Sequence, residues 1–248
     1  MCDSSKEPSG GSRLSRRSLL KVPAAVAAAG LLTGGPGRSV ALADALSKEQ
    51  RDKMTPDEIL ATMKRGNDRF RKGDEPRRDF LAEQRASAKG QYPATVLLSC
   101  IDSRAPAEVI MDLGLGDAFN CRVAGNVVNE DILGSMEFAC KVTGAKVVLV
   151  MGHTSCGAIK GAIDNVELGN LTGLLAKIRP AVTATEFTGE RTSKNPGFVD
   201  AVARKNVELT MKQILEKSPV LRELQSKSSI KVAGGMYNLE TATVEFFA

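Results

Sequence analysis

Two short stretches of the chain carry side chains that could hold a metal ion. In "SCIDSR" the residues Cys100, Asp102 and Arg104 stand at alternate positions, and in "GHTSCG" the only histidine, His153, precedes Cys156 by three residues. Two thiolates and an imidazole suit zinc, whereas magnesium and calcium favour oxygen ligands and a blue-copper site favours two histidines. With the Asp102 carboxylate as a fourth, exchangeable ligand, this set predicts a catalytic zinc site.

The site residues follow apolar runs that have the composition of buried strands. Residues 94–102 and 145–153 are rich in branched aliphatic side chains and are bounded by turn signals. A further strand is predicted over 117–126, and residues 230–247 predict a terminal hairpin that turns near Asn238. Helical periodicity lies between and around these runs, at 55–74, 130–144, 170–185 and 197–217.

This alternation predicts an α/β fold with a mostly parallel central β-sheet flanked by helices and one antiparallel edge strand. In such sheets ligands bind beyond the carboxyl ends of the strands, where Cys100 and the pair His153 and Cys156 are expected to meet. If the extended backbone continues through "CIDSR", the side chains of Cys100, Asp102 and Arg104 point to one side.

The pattern Cys-x-Asp-x-Arg, followed about fifty residues later by "GHTSCGAIKG", resembles the β-class carbonic anhydrases. The resemblance runs from about Asn67 to the C-terminus and includes "AGN" at 124–126 and the closing "YNLETATVEFF". It implies reversible hydration of carbon dioxide to bicarbonate and a proton by zinc-bound hydroxide. In the unrelated all-histidine carbonic anhydrases, zinc lowers the pKa of its bound water from about 15.7 to about 7.

The resemblance assigns a role to each residue of the predicted site. Cys100, His153 and Cys156 bind one Zn²⁺ per chain. Asp102 either takes the fourth position in a closed form or pairs with Arg104 and leaves that position to water. In the open form Asp102 accepts a hydrogen bond from the hydroxide, while Arg104 keeps the carboxylate ionised. Asp102 and Arg104 are therefore the predicted catalytic pair.

Two further residues match family positions that serve the substrate. Gln91, nine residues before Cys100, matches a glutamine that hydrogen-bonds substrate, and Phe119 matches an aromatic residue that lines the small apolar pocket. The chain departs from the family pattern at Ala124, where many members have valine, and at Phe138, where plant-type members have tyrosine. Because the single histidine is used by zinc, proton removal falls to buffer, water or a carboxylate.

The N-terminal segment carries most of the net positive charge. Of the formal charge of +5, residues 1–43 contribute +4 through six basic and two acidic residues, so a nucleic-acid-binding domain is not supported. Paired arginines at 16–17, a weakly apolar stretch at 22–32 and a small-x-small site ending at Ala43 are typical of a cleaved twin-arginine signal peptide. The alternative is a basic tail with a chance arginine pair.

A signal peptide of this type predicts an exported protein, periplasmic or extracellular, with a single catalytic domain over 44–248. The four cysteines of that domain form an even number, which in an exported protein favours disulfides. However, a domain of this size needs no covalent staples. The twin-arginine route carries folded proteins, so zinc could occupy its thiolates before export.

Two other functions stay open at this point. One is hydrolysis of carbon disulfide or carbonyl sulfide on the same zinc scaffold, and the other is a non-catalytic zinc-binding homologue with a permanently closed site. The expected small-molecule partners are carbon dioxide and bicarbonate, with neither nucleic acid nor a stable membrane span. By analogy with the fold class, a second copy of the chain is expected to form a homodimer or a higher homo-oligomer.

Overall fold

A five-stranded β-sheet lies at the centre of the computed structural model, which describes residues 46–247. The strands are β1 (Thr95–Ser99), β2 (Ala118–Arg122), β3 (Val147–His153), β4 (Lys231–Tyr237) and β5 (Val244–Phe247). Their order is β2-β1-β3-β4-β5, with the first four parallel and β5 antiparallel to β4. The predicted α/β fold and its antiparallel edge strand are confirmed.

Helices cover both faces of this sheet. They are α1 (Lys48–Lys53), α2 (Pro56–Lys72), α3 (Phe80–Ser87), α4 (Ala107–Ile110), α5 (Glu130–Glu137), α6 (Gly157–Ile163), α7 (Gly169–Ala184), α8 (Pro196–Lys217) and α9 (Pro219–Ser226). The predicted helix over 55–74 is confirmed as α2, which begins at a capping box in which Thr55 Oγ1 accepts the backbone N–H of Glu58.

The central strands are buried on both faces, which explains their nearly continuous apolar sequence. Val96 and Val148 belong to one apolar cluster, which includes residues of α6, α7 and α8, whereas Leu97 and Leu149 belong to a second cluster, which includes residues of α2. A Cβ atom at Gly152 of β3 would lie 2.8 Å from Val207 Cγ2, so the glycine allows α8 to pack directly on the strand beside the site.

The elements predicted over 117–126 and 130–144 end earlier than their sequence pattern indicated. The strand predicted over 117–126 stops at Arg122, because Gly125 (φ 67°) and Asn126 (φ 43°) adopt left-handed backbone conformations within a short 3₁₀ turn. The helix predicted over 130–144 ends as an α-helix at Glu137 and continues as one π-helical turn, Phe138–Val142. Both changes follow from backbone geometry that apolar periodicity does not encode.

Within residues 46–247, no helix combines the length and the apolar character that crossing a membrane requires. The predicted cleavage site at Ala43 and the predicted signal peptide lie outside the described residues.

Candidate metal centre

Three metal-binding side chains meet at the carboxyl edge of the sheet, where the sequence predicted them. Cys100 follows the last residue of β1, His153 is the last residue of β3, and Cys156 is the residue that precedes α6. Their donor atoms all lie within 4.8 Å of one another, and the two sulfurs are 3.9 Å apart. All three residues are at most 4% exposed, so they are shielded from bulk water.

The donor set has the dimensions that a zinc ion requires. With Zn–S bonds of about 2.3 Å, tetrahedral coordination separates two sulfurs by about 3.8 Å, which matches the observed 3.9 Å. His153 Nδ1 lies 2.9 Å from the carbonyl oxygen of Thr154, which can only accept, so Nδ1 carries the proton. The buried Nε2 atom has no hydrogen-bond partner among the described residues, which leaves its lone pair free for a metal.

The two thiols differ in how readily they ionise. The hydrogen bond from the Cys156 thiol outweighs burial and, together with the N–H of Gly125, holds the pKa of Cys100 below its usual range. The same hydrogen bond and burial raise the pKa of Cys156. The protein groups alone therefore stabilise one thiolate, and a divalent cation bound by both sulfurs favours ionisation of the second.

Asp102 is held by Arg104 instead of joining the donor set. Asp102 Oδ1 accepts hydrogen bonds from Arg104 Nε and from the Arg104 backbone N–H, each at 3.0 Å, and Oδ2 accepts one from the second guanidinium nitrogen at 2.8 Å. These bonds from Arg104 hold the pKa of Asp102 well below its usual range. Oδ2 nevertheless lies only 3.8 Å from His153 Nε2, so the carboxylate borders the position that a metal would occupy.

The strand predicted over 94–102 ends earlier than predicted, and the extended backbone does not continue through Cys100, Asp102 and Arg104. β1 ends at Ser99, and the N–H of Ala105 donates to the carbonyl of Asp102 in a tight turn. Asp102 and Arg104 meet because this turn folds the arginine back onto the carboxylate, not because an extended chain places them on one side.

Arg122 supports this turn and was not singled out in the sequence. It ends β2 opposite Ser99, and its guanidinium donates to the carbonyls of Cys100 at 2.9 Å and Asp102 at 2.6 Å. Nothing in the local sequence marks it, because it is one basic residue within the strand predicted over 117–126. A second support is Asp200 of α8, whose carboxylate accepts the N–H of Ser155 at 3.0 Å in the turn between the other two ligands.

Gln91 and Phe119 do not lie beside the donor set of their own chain. Gln91 is exposed and precedes β1, and Phe119 pairs with Val96, four residues before Cys100, which corresponds to about 13 Å along the strand. The rings of Phe119 and Phe138 meet edge to face at 6.3 Å in a surface cavity beside β2. The structure therefore separates these two residues from the metal centre within one chain.

The remaining two cysteines of the described range are free thiols outside the donor set. Burial raises the pKa of Cys121, and it raises the pKa of Cys140 to about 12. Neither therefore contributes a donor to the cluster of Cys100, His153 and Cys156.

A mostly parallel α/β sheet that carries a buried Cys₂His donor set beside an Asp–Arg pair defines a mononuclear zinc enzyme. The family model described as carbonic anhydrase matches residues 95–244, and the chain belongs to this family. Its members interconvert carbon dioxide and bicarbonate, and those of the β class use zinc as their cofactor.

Individual relatives agree with this membership. The chain is 33% identical to carbonic anhydrase 2 of Mycobacterium tuberculosis over 184 residues, which cover 72% of this chain and 86% of the relative. It is 32% identical to a carbonic anhydrase of Mycolicibacterium smegmatis over 185 residues, 74% of this chain and 89% of the relative.

Solved structures show the same fold. Crystal structures of two tetrameric β-carbonic anhydrases from Sordaria macrospora include a chain with a TM-score of 0.57 and 25% identity, covering 64% of this chain and 82% of that one. The β-carbonic anhydrase CafA of Aspergillus fumigatus has a TM-score of 0.59 and 24% identity, with coverage of 77% and 89%.

Proposed function

We propose that this chain hydrates carbon dioxide reversibly to bicarbonate and a proton at a zinc ion bound by Cys100, His153 and Cys156. The observation that carries the proposal is the donor set, with three buried donor atoms within 4.8 Å of one another. A zinc ion held by these residues would supply hydroxide at neutral pH, since zinc lowers the pKa of its bound water to about 7 in the three-histidine carbonic anhydrases.

Asp102 and Arg104 prepare the reaction without contributing a donor to this set. An ionised carboxylate can only accept hydrogen bonds, so Asp102 orients a hydroxyl group at the site by accepting a hydrogen bond from it. The three hydrogen bonds from Arg104 hold Asp102 in this position and keep it ionised. Arg104 is therefore a positioning residue, and it would keep the carboxylate from joining the three donors at a bound metal ion.

The direct test is a stopped-flow hydration assay of the zinc-loaded chain that starts at Asp44. We expect carbon dioxide hydration to be accelerated by at least about 10⁶-fold over the uncatalysed reaction. Carbon disulfide and carbonyl sulfide are assayed in parallel. Hydrolysis of either without hydration of carbon dioxide would assign the site to the other substrate class, and no turnover of any of them would indicate a non-catalytic zinc protein.

We further propose that the active unit is a homo-oligomer in which Gln91 and Phe119 serve the metal centre of a second copy. The resemblance assigns both residues to the substrate, yet within one chain Phe119 lies about 13 Å along the sheet from Cys100. The surface near Phe119 includes Phe138, which is 50% exposed and meets the Phe119 ring edge to face. The related Sordaria macrospora enzymes are described as tetrameric.

Subunit mixing tests this arrangement. Gln91→Ala and Cys100→Ser chains are each expected to have low activity alone. When the two variant chains pair at random, about half of the dimers contain one chain of each variant. Each mixed dimer has one site in which both Cys100 and Gln91 are intact. About one quarter of wild-type activity therefore returns. Mixing that restores nothing above the Gln91→Ala background would show that Gln91 acts within its own chain or not at all.

We also propose that the chain is exported in its folded, zinc-bound form to the periplasm or the cell exterior. The support is the order of the arginine pair at 16–17, the apolar stretch at 22–32 and the small-x-small site ending at Ala43.

Cell fractionation tests the export signal. Arg16→Lys combined with Arg17→Lys is expected to keep the protein in the cytoplasm, because the export receptor reads the paired guanidinium groups and not only their charge. Arg13→Lys, just outside the pair, is the matched control and is expected to leave export intact. Wild-type protein that stays in the cytoplasm with residues 1–43 attached would contradict the proposal.

A further inference from the structure

The "AGN" turn at Ala124–Asn126 contacts the metal centre through its backbone. The N–H of Gly125 points at the sulfur of Cys100 from 3.4 Å, inside the buried part of the site. Gly125 has a φ of 67°, and a Cβ atom there would lie 2.5 Å from Ile178 Cδ1 of α7. Another residue at this position would strain the backbone and displace Ile178, so glycine suits it best.

A single side chain of α8 holds this turn from behind. Asn206 is 3% exposed, and its Nδ2 atom donates a hydrogen bond of 2.7 Å to the carbonyl oxygen of Gly125. One helical position later, Val207 packs against Gly152 of β3, the strand that ends in His153. The same turn of α8 therefore contacts the Gly125 turn and the strand that presents the histidine.

We propose that Asn206 is a positioning residue for the metal centre, which acts by fixing Gly125 so that its N–H donates to the Cys100 thiolate. An N–H donor at a thiolate stabilises the negative charge of the ligand, and the partners that orient ligands typically affect metal affinity by about 10- to 100-fold. Without the Asn206 amide, the buried carbonyl oxygen of Gly125 loses its hydrogen-bond donor. We expect the turn to shift until this oxygen accepts a hydrogen bond from another group. This inference rests on the proposed zinc site.

The test compares two buried asparagines. Asn206→Leu keeps the approximate size of the side chain and removes the donor. The matched control is Asn67→Leu in α2, since Asn67 is also 3% exposed and its amide donates to the carbonyls of Ile110 and Ala242, outside the donor set. Zinc affinity is measured by competition with a chromophoric chelator, and the cobalt-substituted proteins are compared by their sulfur-to-cobalt charge-transfer absorption.

We expect Asn206→Leu to bind zinc about 10- to 100-fold more weakly and to shift the charge-transfer band, whereas Asn67→Leu loses stability but keeps wild-type zinc affinity and spectrum. Native affinity in Asn206→Leu, or an equal loss in both variants, would overturn the inference. If Asn206→Leu does not fold, Asn206→Ser, whose hydroxyl is too short to replace the amide, carries the same expectation. Wild-type protein that binds no zinc would instead refute the proposed function itself.

Discussion

Cys100→Ser is expected to lower the zinc content of the purified protein and to abolish its hydration activity. The serine hydroxyl stays neutral near pH 7 and is a poor substitute for a thiolate that lies 3.9 Å from its partner sulfur. Structural zinc sites with four protein ligands bind zinc with about 10–16 kcal/mol, so the loss of one such ligand corresponds to roughly 3 kcal/mol, or at least about a 100-fold loss of affinity. Zinc content and hydration rate of the purified variant are the measurements.

Cys140→Ser is the matched control for this substitution. Cys140 is as deeply buried as Cys100, but its pKa is raised to about 12 and it lies outside the donor set. We expect the control to lose some stability, because it buries a hydroxyl, and to keep its zinc and its activity. A Cys100→Ser enzyme that retains both would show that the metal is held elsewhere.

Arg104→Ala is expected to keep its zinc and lose most of its activity, by about 10- to 100-fold near neutral pH. The Arg104 side chain is 58% exposed and binds no metal, so as a surface ion pair with Asp102 it would contribute little to stability. Its removal frees Asp102, whose Oδ2 atom already lies 3.8 Å from His153 Nε2, to take the fourth coordination position. The closed form then gains population.

The pH profile separates this mechanism from a structural defect. Wild-type activity is expected to rise as pH increases through about 7, because hydroxide becomes available at the zinc ion. In Arg104→Ala raising the pH rescues little, since Asp102 has lost the guanidinium that draws it away. Arg104→Lys keeps the charge without the two-point hydrogen bonding and is expected to fall between the two. Near-wild-type activity in Arg104→Ala would mean that the Asp102–Arg104 pair has only a structural role.

The matched control for Arg104 is Arg204→Ala. Arg204 is another partly exposed arginine, and it pairs with Glu245 at 2.9 Å on the surface of α8. The pair does not contact the donor set, so its loss is expected to leave the pH profile unchanged.

The parts of the molecule that were predictable depend on local patterns. The buried strands are recognisable by their apolar runs, and parallel strands bring their carboxyl ends to one edge, so Cys100 and His153 could be placed together from sequence. The hairpin turn near Asn238 was also predictable from local sequence, because asparagine favours turns. In the structure, Asn238 Oδ1 accepts the N–H groups of Glu240 and Thr241.

The parts that were not predictable depend on contacts between distant segments. Asn206 reaches a carbonyl 81 positions away, and Arg122 reaches two carbonyls of the neighbouring strand end, so neither has a local signature. The turn that joins Asp102 to Arg104 depends on side-chain hydrogen bonding, which alternate spacing does not reveal. Gln91 and Phe119 could be matched by position but not placed, because their distance from the centre depends on the assembled sheet.

Metal analysis of the purified, active wild-type protein tests most directly whether the Cys100, His153 and Cys156 cluster holds a catalytic zinc ion. We expect about one zinc per chain, with hydration activity that is lost when a strong chelator removes the metal and returns when zinc is restored. A protein that hydrates carbon dioxide at full rate while containing no zinc would contradict this expectation.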